Sequence, residues 1–375
     1  MLDMNRNTVY ENRKIRFASM NDEALGPLKQ LPGVWANVRP EFRMNSNFRG
    51  VGTLEGAAAS PFDGRGWNLI ALPFAQQGQF RNYRLLMNQY NEVLTFTKVD
   101  EAVPNRGITN EGMTAQADQK VAALDYEQTI AQIAADDIGD SDVAGPPELP
   151  IHHEPGFFLH MKEQRIDGID IGRLATIPHG NAATALGTSR VFDGPPEIPV
   201  MSAFPEGVVV GDISEAVDAA TDETAYLFPY RAFSQDPFKG VLSGTPFPGF
   251  SPADPTALLR LGLPANVVRT TELSLDTSLK EAGIVNIPFI ERQADANFMR
   301  SIFWIMELDE EGLDGKPKLV LAYAQFIFLD FFPRRDGVEG LIRWPHISIN
   351  MMEKISEPPG VVTDDMKIAY ALPET

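Results

Sequence analysis

Two late segments constrain the fold of this chain more than any others. Ser301-Ile302-Phe303-Trp304-Ile305-Met306-Glu307-Leu308 and Lys318-Leu319-Val320-Leu321-Ala322-Tyr323-Ala324-Gln325-Phe326-Ile327-Phe328-Leu329 are rich in β-branched, aromatic and aliphatic residues, and Leu313-Asp314-Gly315-Lys316-Pro317 lies between them. Such residues suit a pleated surface, and Asp-Gly suits a connection between antiparallel neighbours. Ile302, Trp304, Met306 and Leu308 share one face, while Phe303 and Ile305 add apolar surface opposite, so this strand is expected to be covered on both sides. At about 3.3 Å per residue, strands of this length reach roughly 26–40 Å, the height of a barrel wall. A third segment, 346–353, follows, and the three are expected to pair antiparallel in sequence order.

Composition narrows the function. The chain has 375 residues, 43% of them hydrophobic, with 23 Phe, as expected of a packed globular protein. A formal charge of −19 excludes the Lys/Arg arrays that nucleic acid demands and disfavours docking on anionic membranes. With no Cys, thiolate metal sites, disulfides and Cys nucleophiles drop out, and only five His remain as imidazole ligands. Met1-Leu2-Asp3-Met4-Asn5-Arg6 lacks the apolar core of a signal peptide, and no apolar run approaches the ~18 residues of a membrane helix. The expectation is a soluble, cytoplasmic protein without membrane insertion.

Along the chain, residues 1–24 read as a polar arm, and a helical turn over Ala24 to Leu31 leads through Pro32-Gly33 into a first strand at Val34. Tyr83 to Tyr90 and Val93 to Val99 flank Asn91-Glu92 with the spacing of a hairpin. Two regions do not read as wall. Residues 109–150 contain the acidic run Ala134 to Asp142, ended by Gly145-Pro146-Pro147, and residues 190–265 hold eleven prolines between Pro195 and Pro264. The expected fold is mainly β: an antiparallel up-and-down, calycin-like barrel. One enlarged domain over 25–375 would carry both regions as insertions; the alternative makes 190–265 a small second domain.

Three short segments resemble, in order, the landmarks of the nitrobindin-like heme-binding β-barrels, relatives of the fatty-acid-binding and lipocalin barrels. Pro27, Leu28, Leu31, Gly33 and Trp35 match the segment that opens the first strand, although Ala36-Asn37-Val38 replace the glycines that usually follow. His153, Glu154, Gly156, Phe157 and Phe158 match the middle landmark, and His346, Ile347 and Met351 the last. The resemblance implies a barrel that binds heme, with His346 as the iron ligand. Small-gas binding or peroxide chemistry would follow at the open iron position.

The residues themselves leave the site open. Alternation puts His346 beside Ser348 and Asn350, away from Ile347, Ile349 and Met351, so an apolar interior would turn His346 outward. The place it shares with the family's iron ligand predicts instead that its ring faces a cavity lined by aromatic or Met side chains. His152 and His153 point to opposite strand faces, and His152 and His160 lie about 26 Å apart on a straight strand, so one metal cannot take all three. A zinc site would need carboxylates or His179 from elsewhere. His179, on the turn-like Pro178-His179-Gly180, suits a pocket group or a general base. Arg334 and Arg335 suit a heme propionate or a ligand carboxylate, with an ion pair to Asp330 or Asp336 as the alternative, and Trp344 stands beside the candidate ligand. The expected activity is binding of heme or a similar apolar cofactor through His346, His179, Arg334, Arg335 and Trp344. The alternatives are a metal-free carrier or sensor of an apolar small molecule or fatty acid, and a barrel enzyme using His179 with a carboxylate.

Overall fold

A computed structural model describes residues 23–38, 60–75, 81–107, 118–138, 144–162, 165–177, 179–242 and 247–356. The expected arm and the acidic residues 139–143 lie largely outside them. With 53% strand and 14% helix, the protein is mainly β, built on a closed ten-stranded antiparallel barrel with extra strands outside. The strands are β1 (Gly33–Asn37), β2 (Gly66–Pro73), β3 (Tyr83–Asn105), β4 (Gln119–Ile138), β5 (Pro150–Met161), β6 (Ile171–Ile177), β7 (Asn181–Asp193), β8 (Val267–Asp276), β9 (Gly283–Asn286), β10 (Asp295–Glu311), β11 (Pro317–Pro333) and β12 (Leu341–Ser356).

From β3 to β8 each strand pairs with the next, then β8 pairs with β10, β10 with β11 and β11 with β12. The ring closes between β12 and β3 through two short strands at different heights. β1 lies between Met352–Ser356 and Val93–Phe96, and β2 lies between Ile347–Ile349 and Tyr83–Tyr90. Strand β9 pairs only with β7, off this path. The three late segments pair as the sequence predicts, and residues 301–306 are buried on both faces.

Two expectations need correction. No hairpin turns at Asn91-Glu92, because β3 runs straight through: neither residue takes the positive φ of a tight turn, and Glu92 pairs with Ile130. Nor is 109–150 wholly an insertion. Gln119–Ile138 is a wall strand paired along both edges, and Asp137 at the acidic end meets Arg84 at 3.6 Å. The acidic residues there mask a strand whose Tyr126 and Gln128 reach the interior.

The Pro-rich segment between β7 and β8 lies outside the wall and carries helices α1 (Ile213–Ala219), α2 (Phe228–Gln235) and α3 (Ala257–Gly262). It covers the outer face of β2, β3 and β12. Phe247 stacks on Trp67 at 5.5 Å, with Phe238 and Phe250 around the same indole. Tyr230 and Tyr226 close on Tyr83 and Trp344. This cover makes the outside of β2 and β12 apolar: Leu69, Ile347 and Ile349 are fully buried there beside Trp67.

One barrel end is plugged. A short 3₁₀ turn, Glu23–Leu28, sets Leu25 and Leu28 into the core, and the Trp35 indole donates to the Leu31 carbonyl at 2.8 Å. The first landmark of the sequence is thus a stopper. Gly26, at φ 53, lets the His160 ring lie flat against the turn, where any Cβ would clash.

Candidate functional site

Inward-pointing residues identify themselves by reaching across the barrel. Arg173 on β6 donates to Ser301 Oγ on β10 at 3.0 Å and to Gln325 on β11, contacts possible only through the interior. The same guanidinium pairs with Glu154 and Tyr126, and lies over the rings of Tyr126, Phe158 and Phe303 at 5.3, 5.7 and 5.5 Å. Gly156 makes this arrangement fit, since a Cβ there would meet the Tyr126 ring and the Leu174 carbonyl. Burial alone would raise the Glu154 pKa. The Arg173 guanidinium and the His152 hydrogen bond outweigh it, and the carboxyl is held down at about 2. Arg173 stays charged for the reciprocal reason, its pKa raised by Glu154 against the opposing effect of burial.

A second inward network centres on Glu92 of β3. Its carboxyl accepts from Tyr323 Oη at 2.6 Å, Asn350 Nδ2 at 2.7 Å and Gln128 Nε2 at 2.6 Å, and Tyr90 extends the chain through Tyr323. Burial pushes the Glu92 pKa up despite these three donors, and among the described residues no guanidinium or ammonium stands beside it. The interior is therefore polar in its middle, and the polar face of β12 points inward. Gln325 and Ser348 are cross-strand partners, as are Tyr323 and Asn350, and the same alternation carries His346 inside opposite Ile327.

Beyond these networks, at the end away from the plug, three imidazoles come together. His152 sits at the start of β5, with Nε2 at 3.2 Å from Glu154 Oε2. Because that carboxylate is ionised, Nε2 is the ring nitrogen that donates to it. His179, exposed on the turn between β6 and β7, lies with its ring centre 6.2 Å from that of His152 and is hydrogen-bonded to the Ile151 backbone. His346 lies within electrostatic reach of both. Asn68 of β2 bridges its Nε2 at 2.7 Å and Ser348 Oγ at 2.8 Å through one amide nitrogen. As placed, the amide donates to Nε2, so Nδ1 holds the ring proton. Nδ1 has no hydrogen-bond partner among the described residues, and alternation along β12 turns the ring to the inward face. Burial, then the neighbouring His152 and His179, lower the His346 pKa to about 3, and burial with His152 lowers that of His179. Both are neutral imidazoles at physiological pH.

No protein-family model matches the sequence, and no curated protein matches it. Among solved structures, the chain is similar to the crystal structure of Rv2717c from M. tuberculosis, at 12% identity over 88% of this chain and 97% of that one, with a TM-score of 0.34. So loose an overlap carries no functional inference.

The candidate residues divide into two groups. His346 and His179 share the lumen end, joined by His152, which sequence spacing had set aside with His153 and His160. His153 does face outward, 3.3 Å from Glu127, and His160 belongs to the plug. Arg334, Arg335 and Trp344 serve the seam with the Pro-rich cover instead. Arg334 pairs with Asp336, Arg335 lies 3.6 Å from the Tyr226 ring centre, and Trp344 stacks on Phe331 at 4.9 Å. Sequence reasoning missed Asn68, Glu92, Tyr126 and Arg173. Only the alternation His152-x-Glu154 carried a usable signal. Near His346 stand Asn68 and Ser348, joined through one amide nitrogen, and the imidazoles of His152 and His179 act on it electrostatically. Among the described residues, no three His, Asp or Glu are arranged to share a metal ion. Two surface hollows, of about 430 and 650 Å³, lie against the outer wall and contain none of these histidines.

Proposed function

We propose that this protein binds a small polar molecule in the histidine-lined end of its barrel, with His346 as the contacting residue. One observation supports the reading: a neutral imidazole on the inward face of β12 is held at Nε2 by Asn68, and its Nδ1 has no hydrogen-bond partner among the described residues. Concave sites with a few placed polar groups are the ordinary form of a small-molecule site. The Arg173 and Glu92 networks fill the middle of the lumen, which restricts the ligand to the histidine end and disfavours a long acyl chain.

A second reading, heme with His346 on the iron, is supported by the neutrality of that imidazole and its inward position on the last strand. The donor set as placed does not fit it. Nε2 is taken by Asn68, Nδ1 carries the proton, and Arg334 and Arg335 are engaged at the seam. Turning the Asn68 amide over would exchange the two ring nitrogens and release a lone pair at Nδ1.

Heme titration separates the readings. A Soret band lost in His346→Ala establishes heme ligation. Without one, spectra of ¹⁵N-histidine protein titrated with phenol and cyclopentanone are expected to shift the His346 signals. Unmoved His346 signals in both titrations would end the proposal.

A further inference from the structure

The hydrogen-bonded partners of the three imidazoles give them different jobs. His152 is held through Nε2 by an ionised carboxylate, which Arg173 and Tyr126 hold in turn. This is the constellation of an oriented general base: acceptor nitrogen free, opposite nitrogen anchored, anchor itself anchored. His346 is the complement. Its Nε2 accepts from Asn68, so its Nδ1–H is a donor from a neutral ring. A neutral imidazole is suited to polarising a carbonyl, because it gives up a share of its proton without having been a cation. Their placement also matters. His152 shares the inward face of β5 with Glu154, and His346 shares that of β12 with Ser348, both at the end away from the plug.

We infer that His152, oriented by Glu154, and the Nδ1–H of His346 form a site for moving a proton next to the carbonyl of a small neutral ketone or aldehyde. The inference rests on the metal-free reading above and adds a reaction to it. The α C–H bond breaks, its proton passes to His152 Nδ1, and its electron pair moves into the carbonyl. The resulting enolate oxygen is held by the His346 N–H. Return of the proton from His152, to the same carbon or to a conjugated one, restores a neutral carbonyl compound. The cycle consumes no oxidant, reductant or second substrate.

The test is deuterium incorporation at the α-carbons of cyclopentanone, followed by proton NMR in D₂O with ligand-free protein. Wild-type protein is expected to exceed an equal concentration of free imidazole by about 100-fold, the lower end of the range for a positioned base. His152→Gln and His346→Leu should each bring the rate close to that of free imidazole. His346→Gln, which keeps an N–H donor, should retain more of the rate than the leucine variant. His153→Gln, on the outer face, should leave it unchanged. A wild-type rate no greater than that of imidazole, or a rate that survives His152→Gln, overturns the inference. Histidine shifts on adding cyclopentanone, without exchange, overturn the reaction while leaving the binding site standing.

Discussion

Glu154 and Arg173 face each other across adjacent strands inside the barrel, and each is almost wholly removed from solvent, with side chains 1% and 2% exposed. Neither charge is tolerable there without the other, since an unpaired buried ion keeps its full desolvation cost. Glu154→Ala is therefore expected to destabilise the protein by about 3–5 kcal/mol, the range for removing one partner of a buried pair. Urea unfolding would measure it. A loss below about 1 kcal/mol would mean that water reaches Arg173.

The histidine end makes stability depend on acid. His346 has a folded pKa near 3 against 6.5 for a free imidazole, so the unfolded chain binds its proton first as pH falls. Stability is then lost progressively between those two values. Glu154 acts in the same direction lower down: its folded pKa is about 2 against 4.5, so its contribution fades as pH falls through that window. His346→Gln should flatten the upper part of the acid limb and leave the lower part. Thermal unfolding from pH 7 to pH 3 would show it, and an unchanged upper limb would refute it.

Glu92 carries the opposite sign. Its raised pKa means that burial disfavours the charged form, so ionisation at higher pH works against the fold. Glu92→Gln, with the neighbouring amides free to turn over, is expected to remove this dependence and to leave stability at pH 8 equal or higher. A pronounced loss at pH 8 would show that the carboxylate itself is required by Tyr323, Gln128 and Asn350.

Close strand pairing sets a limit at Gly187. A Cβ there would stand 1.8 Å from the Ser274 carbonyl oxygen of β8, whereas at Gly172 the nearest atom, a Leu186 methyl, is 3.4 Å away. Gly187→Ala should yield little folded protein, and Gly172→Ala should fold. Comparable soluble yields and melting temperatures for the two would contradict the β7–β8 pairing described.

Removing Trp67 tests the cover. The indole lies against Phe238, Phe247 and Phe250, and Trp67→Ala should cost about 3–5 kcal/mol, as for other buried aromatics. Limited proteolysis should then cut first within 194–266. Cleavage elsewhere would show that this packing does not hold the segment down.

The barrel was legible where the pattern is local. Ser301 to Leu329 announces two paired strands, because every residue there suits a wall covered on both sides. Asn91-Glu92 misled because a polar pair between apolar runs looks the same whether it turns the chain or enters a buried network. Gln119–Ile138 was obscured in the same way by its acidic end. Alternation on β12 correctly separated His346, Ser348 and Asn350 from Ile347 and Ile349, yet it could not tell inside from outside. That sign depends on Phe238, Phe247 and Phe250, which arrive from a segment a hundred residues away in the chain and give the isoleucines an apolar cover outside. That His152 and His346 turn toward one interior is likewise a product of closure, which no spacing along the chain expresses.

Strands β3 and β12 never pair with each other directly; β1 and β2 stand between them, and Asn37 mends the join by reaching Asn350 at 3.0 Å and the Glu92 amide at 2.7 Å. The circle is therefore completed by residues from opposite ends of the described chain. During synthesis, Val34 and Trp67 must wait for the last strand before they have both neighbours, and contacts so remote in sequence form slowly. The interior that His152 and His346 both face is thus a late product of folding: a nascent chain ending before β12 would hold most of the wall and none of the vessel.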